Sequence, residues 1–127
     1  MTDEITLTLP RERDFYGIAH LVLGGLALRL DLTFETLEDL QLALASVLER
    51  PDADGDVNVT LRVDEGAVHA LVGPFDRELL HAQLERRPEE ELSLARLLEA
   101  VVDRVEVDDR GEAAWIELTK SVEAVPH

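Results

Sequence analysis

The sequence has no cysteine, which excludes disulfides and thiolate metal sites. It has no apolar run approaching the ~20 residues needed to cross a bilayer. It is also poor in positive charge: 12 Lys and Arg stand against 28 Asp and Glu, a net of −16. Such a field repels phosphate backbones and anionic lipid, so direct nucleic-acid or membrane-surface binding is disfavoured. Met1-Thr2-Asp3-Glu4 is acidic where a secretory signal would be basic, and the expectation is a cytoplasmic protein. The surplus of carboxylates would keep the domain soluble. It would equally draw basic partners inward, an effect that salt shortens to ~8 Å at physiological ionic strength.

What is present is a core. Hydrophobic residues make up 46% of 127 positions, enough for one domain and too few residues for two. Ile5 to Leu9 alternates apolar and polar and predicts a strand that Pro10 ends. From Phe15 the apolar positions Ile18, Ala19, Val22, Leu23, Leu26 and Leu30 follow helical spacing. Gly24-Gly25 interrupts that helix, and close packing against a neighbour is the expected reason. Thr33 is a good N-cap for a second helix whose inward face is Phe34, Leu37, Leu40, Leu44, Val47 and Leu48. Pro51 to Asp56 is the one polar hinge.

Val57 to Val63 alternates cleanly, turns at Asp64-Glu65-Gly66 and returns as Ala67 to Val72, a hairpin. Gly73-Pro74 is expected to break that strand and shape a turn, with Phe75 to Arg87 a short helix or a partly ordered loop ended by Pro88. Leu92 to Val102 predicts another helix. Val105 to Val107, a turn at Asp109-Arg110-Gly111, and Ala114 to Leu118 form a closing hairpin with Trp115 and Leu118 on opposite faces. The element order predicts an α/β protein of α+β type: a two-layer sandwich whose mixed, mainly antiparallel sheet carries helices on one face.

Particular residues then point to a family. Leu9-Pro10, Phe15-Tyr16-Gly17-Ile18, Leu21, Leu23-Gly24-Gly25, Arg29, Thr33-Phe34, Glu38-Asp39-Leu40 and Ala43 resemble the N-terminal half of the RsbW-type anti-sigma-factor serine kinases, in the histidine-kinase-like ATPase superfamily. Asp103 to Val107 and Leu118-Thr119-Lys120 are similar to that family's last helix-to-strand junction and final strand. The resemblance implies one histidine-kinase-like ATPase domain over residues 1–127, with a nucleotide pocket between sheet and helices. It implies ATP binding, phosphorylation of a serine on an antagonist protein, sequestration of a sigma factor, and homodimers.

Three motifs carry that chemistry, and this sequence departs from each. The first is a helical Glu-x-x-x-Asn, base and Mg²⁺ ligand, which here falls on Ser46 and Arg50. A serine hydroxyl is no base near neutral pH, and a guanidinium has donors only and cannot ligate a cation. Glu49 is one residue out of phase, pointing roughly 100° away. The second is Asp-x-Gly, whose carboxylate reads adenine, and it falls on Ala70 and Val72. A gap would supply Gly73 but no aspartate, since positions 67–74 contain none. The third is a glycine-rich lid that cradles phosphates. Its glycines fall on Leu92 and Leu94, and no glycine occurs between Gly73 and Gly111. Glu89-Glu90-Glu91 would repel phosphates there, or cap the following helix. Arg50 retains the chemistry for a direct phosphate contact.

Other candidates are weaker. His20, His69, His81 and His127 have no metal-ligand spacing and read as structural or surface residues. Ser46, Ser93 and Ser121 lack an adjacent His/Asp partner. Glu35, Glu38 and Asp39 form a solvated face on which a basic partner would land.

The leading expectation is a regulator that keeps the anti-sigma scaffold and acts by protein contact in a partner-switching stress or transcription pathway, with a sigma factor or an anti-sigma antagonist as partner. It would have no catalytic residues, cofactor or metal. A vestigial pocket would comprise Ser46, Arg50, Ala70, Val72, Gly73, Leu92, Leu94 and Thr119. The alternative is an ATP- and Mg²⁺-dependent serine/threonine kinase with an atypical pocket. A third reading is a structural partner that dimerises with an active paralogue.

Overall fold

The structure is a computed structural model that describes residues 3–49, 55–64, 66–85 and 93–121. Alternating residues build five strands: β1 (Asp3–Pro10), β2 (Asp56–Asp64), β3 (Ala67–Asp76), β4 (Arg104–Arg110) and β5 (Ala113–Ser121). They form one sheet in the order β1-β2-β3-β5-β4. Every described pairing is antiparallel, so the parallel component allowed by the sequence reading is not used.

Odd positions of β2 (Val57, Val59, Leu61, Val63) and even positions of β3 and β5 (Val68, Ala70, Val72, Ala114, Ile116, Leu118) are buried. They meet on one face because Leu61 pairs with Ala70 and Ala70 with Leu118. This face and the helices enclose a single core. The other face carries Thr6, Thr8, Asn58, Thr60, Arg62, His69, Trp115, Glu117 and Thr119, each partly or fully exposed. Trp115 and Leu118 thus lie on opposite faces.

The helical layer contains α1 (Tyr16–Arg29), α2 (Phe34–Leu48), α3 (Arg77–Leu84) and α4 (Leu94–Val101). Three of them open on a side-chain cap. Thr33 accepts from the Thr36 amide at 3.1 Å, Asp76 from Leu79 at 3.0 Å and Ser93 from Arg96 at 3.2 Å. Such caps satisfy amides that the first turn leaves unpaired. In α2, Leu40, Ala43, Leu44, Val47 and Leu48 are buried, whereas Phe34 is 73% exposed, so the helix begins one turn outside the core. Lys120 ties β5 to this helix through Asp39 at 3.2 Å.

Two expectations change. Gly73-Pro74 does not end β3, which runs on to Asp76. The register slips between Val72 and Phe75: three steps on β3 face two on β5, from Ile116 to Ala114. That bulge changes the parity of the strand and lets both Val72 and Phe75 point into the core. The helix predicted loosely after it is therefore shorter, beginning at Arg77. The second change concerns Gly24 and Gly25, where no atom of this chain lies within 4 Å of a Cβ built on either residue. The expected close neighbour is not within the chain, and each glycine costs α1 about 1 kcal/mol relative to alanine. No helix among the described residues is long and apolar enough to cross a membrane.

Candidate functional site

The family's base would stand on α2, where Ser46 is partly buried. Its hydroxyl donates to the Leu42 carbonyl of its own helix at 2.8 Å, the back-bond that serines make when nothing else engages them. Glu49, the C-cap of α2, pairs instead with Arg13 at 3.3 Å, and its side chain is 48% exposed. Arg50, Leu92 and Glu89-Glu90-Glu91 lie outside the described residues.

On β3, Ala70 and Val72 both point into the core and are sealed there. Their cross-strand neighbours are Leu61 and Leu118 for Ala70, and Val59 and Ile116 for Val72. A nucleotide base recognised at this place would meet only hydrocarbon. Gly73 is buried for a different reason, since the Trp115 indole covers it from the outer face, with Cδ2 2.6 Å from where a Cβ would be. One residue on, Arg11 donates to the Pro74 carbonyl and stacks 5.2 Å from the Phe75 ring centroid. Leu94 opens α4 and packs partly buried against the core. Thr119 does not join these positions, because it pairs with His69 on the outer face. Ala70, Val72 and Leu94 therefore belong to the core side, whereas Gly73 and Thr119 serve the other side of the sheet.

That other side holds a group that the spacing of residues did not disclose. His69 Nε2 lies 3.0 Å from Asp64 Oδ2, and its Nδ1 lies 3.0 Å from Thr119 Oγ1 and 3.7 Å from Glu117 Oε1. A carboxylate, an imidazole and a hydroxyl are in line, as in nucleophile activation. Acyl transfer also requires donors aimed at a developing oxyanion. Around Thr119 the strand pairs with neighbours on both sides, so its backbone donors belong to the sheet. The arrangement is a cross-strand tie beside a shallow open depression of about 190 Å³ lined by Glu4, Thr60, Arg62, His69, Leu71 and Glu117. His81 makes a similar tie, 2.8 Å from Asp109. Among the described residues no three His, Asp or Glu side chains are placed to hold a metal. The partners in these ties lie 50 and 28 positions apart, beyond the reach of any local motif.

No family model matches the chain. It is 24% identical over 127 aligned residues to a serine-protein kinase RsbW of Oceanobacillus iheyensis, covering 85% of this chain and 80% of that one. Shorter matches to the serine-protein kinases RsbW of Listeria innocua (28% over 79 residues) and Bacillus subtilis (27% over 77) cover 57% and 55% of this chain. The chain spans about half the length of those two relatives, 50% and 48%. The crystal structure of the RsbU and RsbW domains of a Mycobacterium tuberculosis protein superposes with a TM-score of 0.67 at 15% identity, over 94% of this chain and 32% of that one. The chain is RsbW-like. The superposition accounts for the fold, α+β with one antiparallel sheet under a helical layer. The RsbW similarity puts the departures at Ser46, Ala70 and Val72 into a functional frame, since in an RsbW-like chain these are the positions where a kinase would hold its base and read its nucleotide.

Proposed function

We propose that this chain is an anti-sigma-factor-like regulator that acts by protein contact in a partner-switching pathway, without phosphotransfer from ATP. One observation carries the reading. Where the fold would place a catalytic carboxylate there is a hydroxyl already donating to Leu42, and where it would read adenine there are two core residues, Ala70 and Val72. A general base must be able to take a proton near neutral pH, and neither position supplies one. The partner is a sigma factor or an anti-sigma antagonist. The net charge of −16 favours a basic surface on it and an association rate that falls as salt is added. The proposal includes self-association and places the protein in the cytoplasm, away from nucleic acid and membrane.

Titration calorimetry with ATP and Mg²⁺ tests the central point, and no heat of binding is expected at millimolar nucleotide. Affinity in the micromolar range, or transfer of labelled phosphate to a purified antagonist protein, would favour an ATP-dependent serine/threonine kinase instead.

A further inference from the structure

Helix α1 is apolar on all sides, and helices of that kind are normally covered on all sides. The sheet and α2 cover the face that carries Ala19, Leu23, Leu26 and Ala27. The opposite face is bare: Leu28 is 84% exposed, Leu21 77% and Ile18 42%. Gly17, Gly24 and Gly25 lie on that bare side with open space where a Cβ would stand. In a chain with 28 acidic residues, none falls between Phe15 and Leu30. This is the longest stretch on which two copies of the molecule can meet without opposing carboxylates.

The spacing identifies what covers it. Ile18, Leu21, Gly25 and Leu28 follow the three-four alternation of a helix-pairing seam, and the order reads the same from either end. An antiparallel copy sets Ile18 opposite Leu28 and Leu21 opposite Gly25, so each leucine enters the hollow left by a glycine. A two-fold interface requires self-complementarity of this kind. We propose that α1 pairs antiparallel with α1 of a second copy of this chain, through Leu21 and Gly25. Standard interfaces bury ~800 Å² per partner, more than one helical seam supplies. Phe34 (73% exposed) and Leu42 (47%) on α2 are the apolar side chains available to extend it. The proposal gives a geometry to the self-association named above and does not depend on the loss of nucleotide binding.

Multi-angle light scattering of the full chain across a range of concentrations reads the outcome. The mass is expected to approach twice the 14.2 kDa of one chain. Leu21→Lys and Gly25→Leu should each weaken association at least about tenfold, the usual effect of changing a central interface residue. Unchanged circular dichroism would confirm folding. Gly25→Ala separates an interface role from a structural one, because it should raise the melting temperature of the dilute monomer while weakening the dimer. With no native cysteine to interfere, mixed chains carrying Leu21→Cys and Gly25→Cys should cross-link to each other in preference to themselves. Three results would each overturn the proposal. They are a monomer at every concentration, a dimer unmoved by Leu21→Lys and Gly25→Leu, or preferential linkage between two chains that both carry Leu21→Cys, which marks a parallel pair. None of these results bears on the calorimetry with ATP, so the two ideas fail separately.

Discussion

Replacing Gly73 by alanine isolates the role that this position has taken on. The new Cβ would stand 2.6, 2.8 and 2.9 Å from Cδ2, Cγ and Cε3 of Trp115, where carbon atoms in contact prefer ~3.5–4.0 Å. Three overlaps of roughly 1 Å force the indole outward. Trp115 is not free to leave without loss, since the Arg110 guanidinium lies 4.9 Å from its ring centroid and is itself held by Asp108 at 2.9 Å. Overpacking costs about 1–3 kcal/mol, and losing an exposed cation–π contact about 0.5–1 kcal/mol. Trading glycine for alanine in a strand returns about 0.5–1 kcal/mol. The expected net loss is about 2 kcal/mol, a fall of roughly 1 M in the urea midpoint at the m-values of small domains. Trp115 is the only tryptophan, so its fluorescence reports both the displaced ring and the unfolding. The control is Gly73→Ala in a Trp115→Ala background, followed by circular dichroism, where the substitution should become neutral or mildly stabilising. Equal losses in both backgrounds would refute the reasoning, because coupling between contacting residues is what the cycle measures.

Thr33→Ala removes the acceptor of the Thr36 amide at the start of α2, and thermal unfolding should report a loss of about 1 kcal/mol. Ser46→Glu restores a carboxylate on the helix where the family's base belongs, yet calorimetry should still detect no Mg·ATP binding. Gained affinity in that variant would mean that the rest of the pocket is intact.

Much of the fold is legible in the sequence because each strand and helix announces itself by period. The alternation from Val57 to Val63 and the apolar spacing from Leu40 to Leu48 are local signals, and both elements stand where those signals put them. Thr33 as a cap is equally local. The extension of β3 through Gly73-Pro74 was not legible, since the bulge that keeps the strand paired depends on Ala114 and Ile116 across the sheet. Nor was the empty surround of Gly24 and Gly25, which a sequence presents as a packing signal without saying who packs. At the candidate site the sequence exposes what residue types are missing. It does not reveal that Gly73 answers to Trp115, or Thr119 to His69, because those partners meet only through sheet register.

These reassignments make the loss of a kinase pocket hard to reverse. An aspartate at position 70 would sit among Leu61 and Leu118 with no polar partner, and an unpaired buried carboxylate either takes up a proton or destabilises the fold by several kcal/mol. Gly73 is held small by an indole on the outer face, and Thr119 is engaged with His69 on that same face. A base restored at Ser46 would therefore face a wall of core hydrocarbon. Nucleotide recognition would need simultaneous change on α2, β3 and the segment before α4, with repacking at each, and such neighbouring changes do not add independently. A scaffold in that condition is selected through the surfaces it presents to other proteins, and its variation is expected to track those surfaces rather than the cleft.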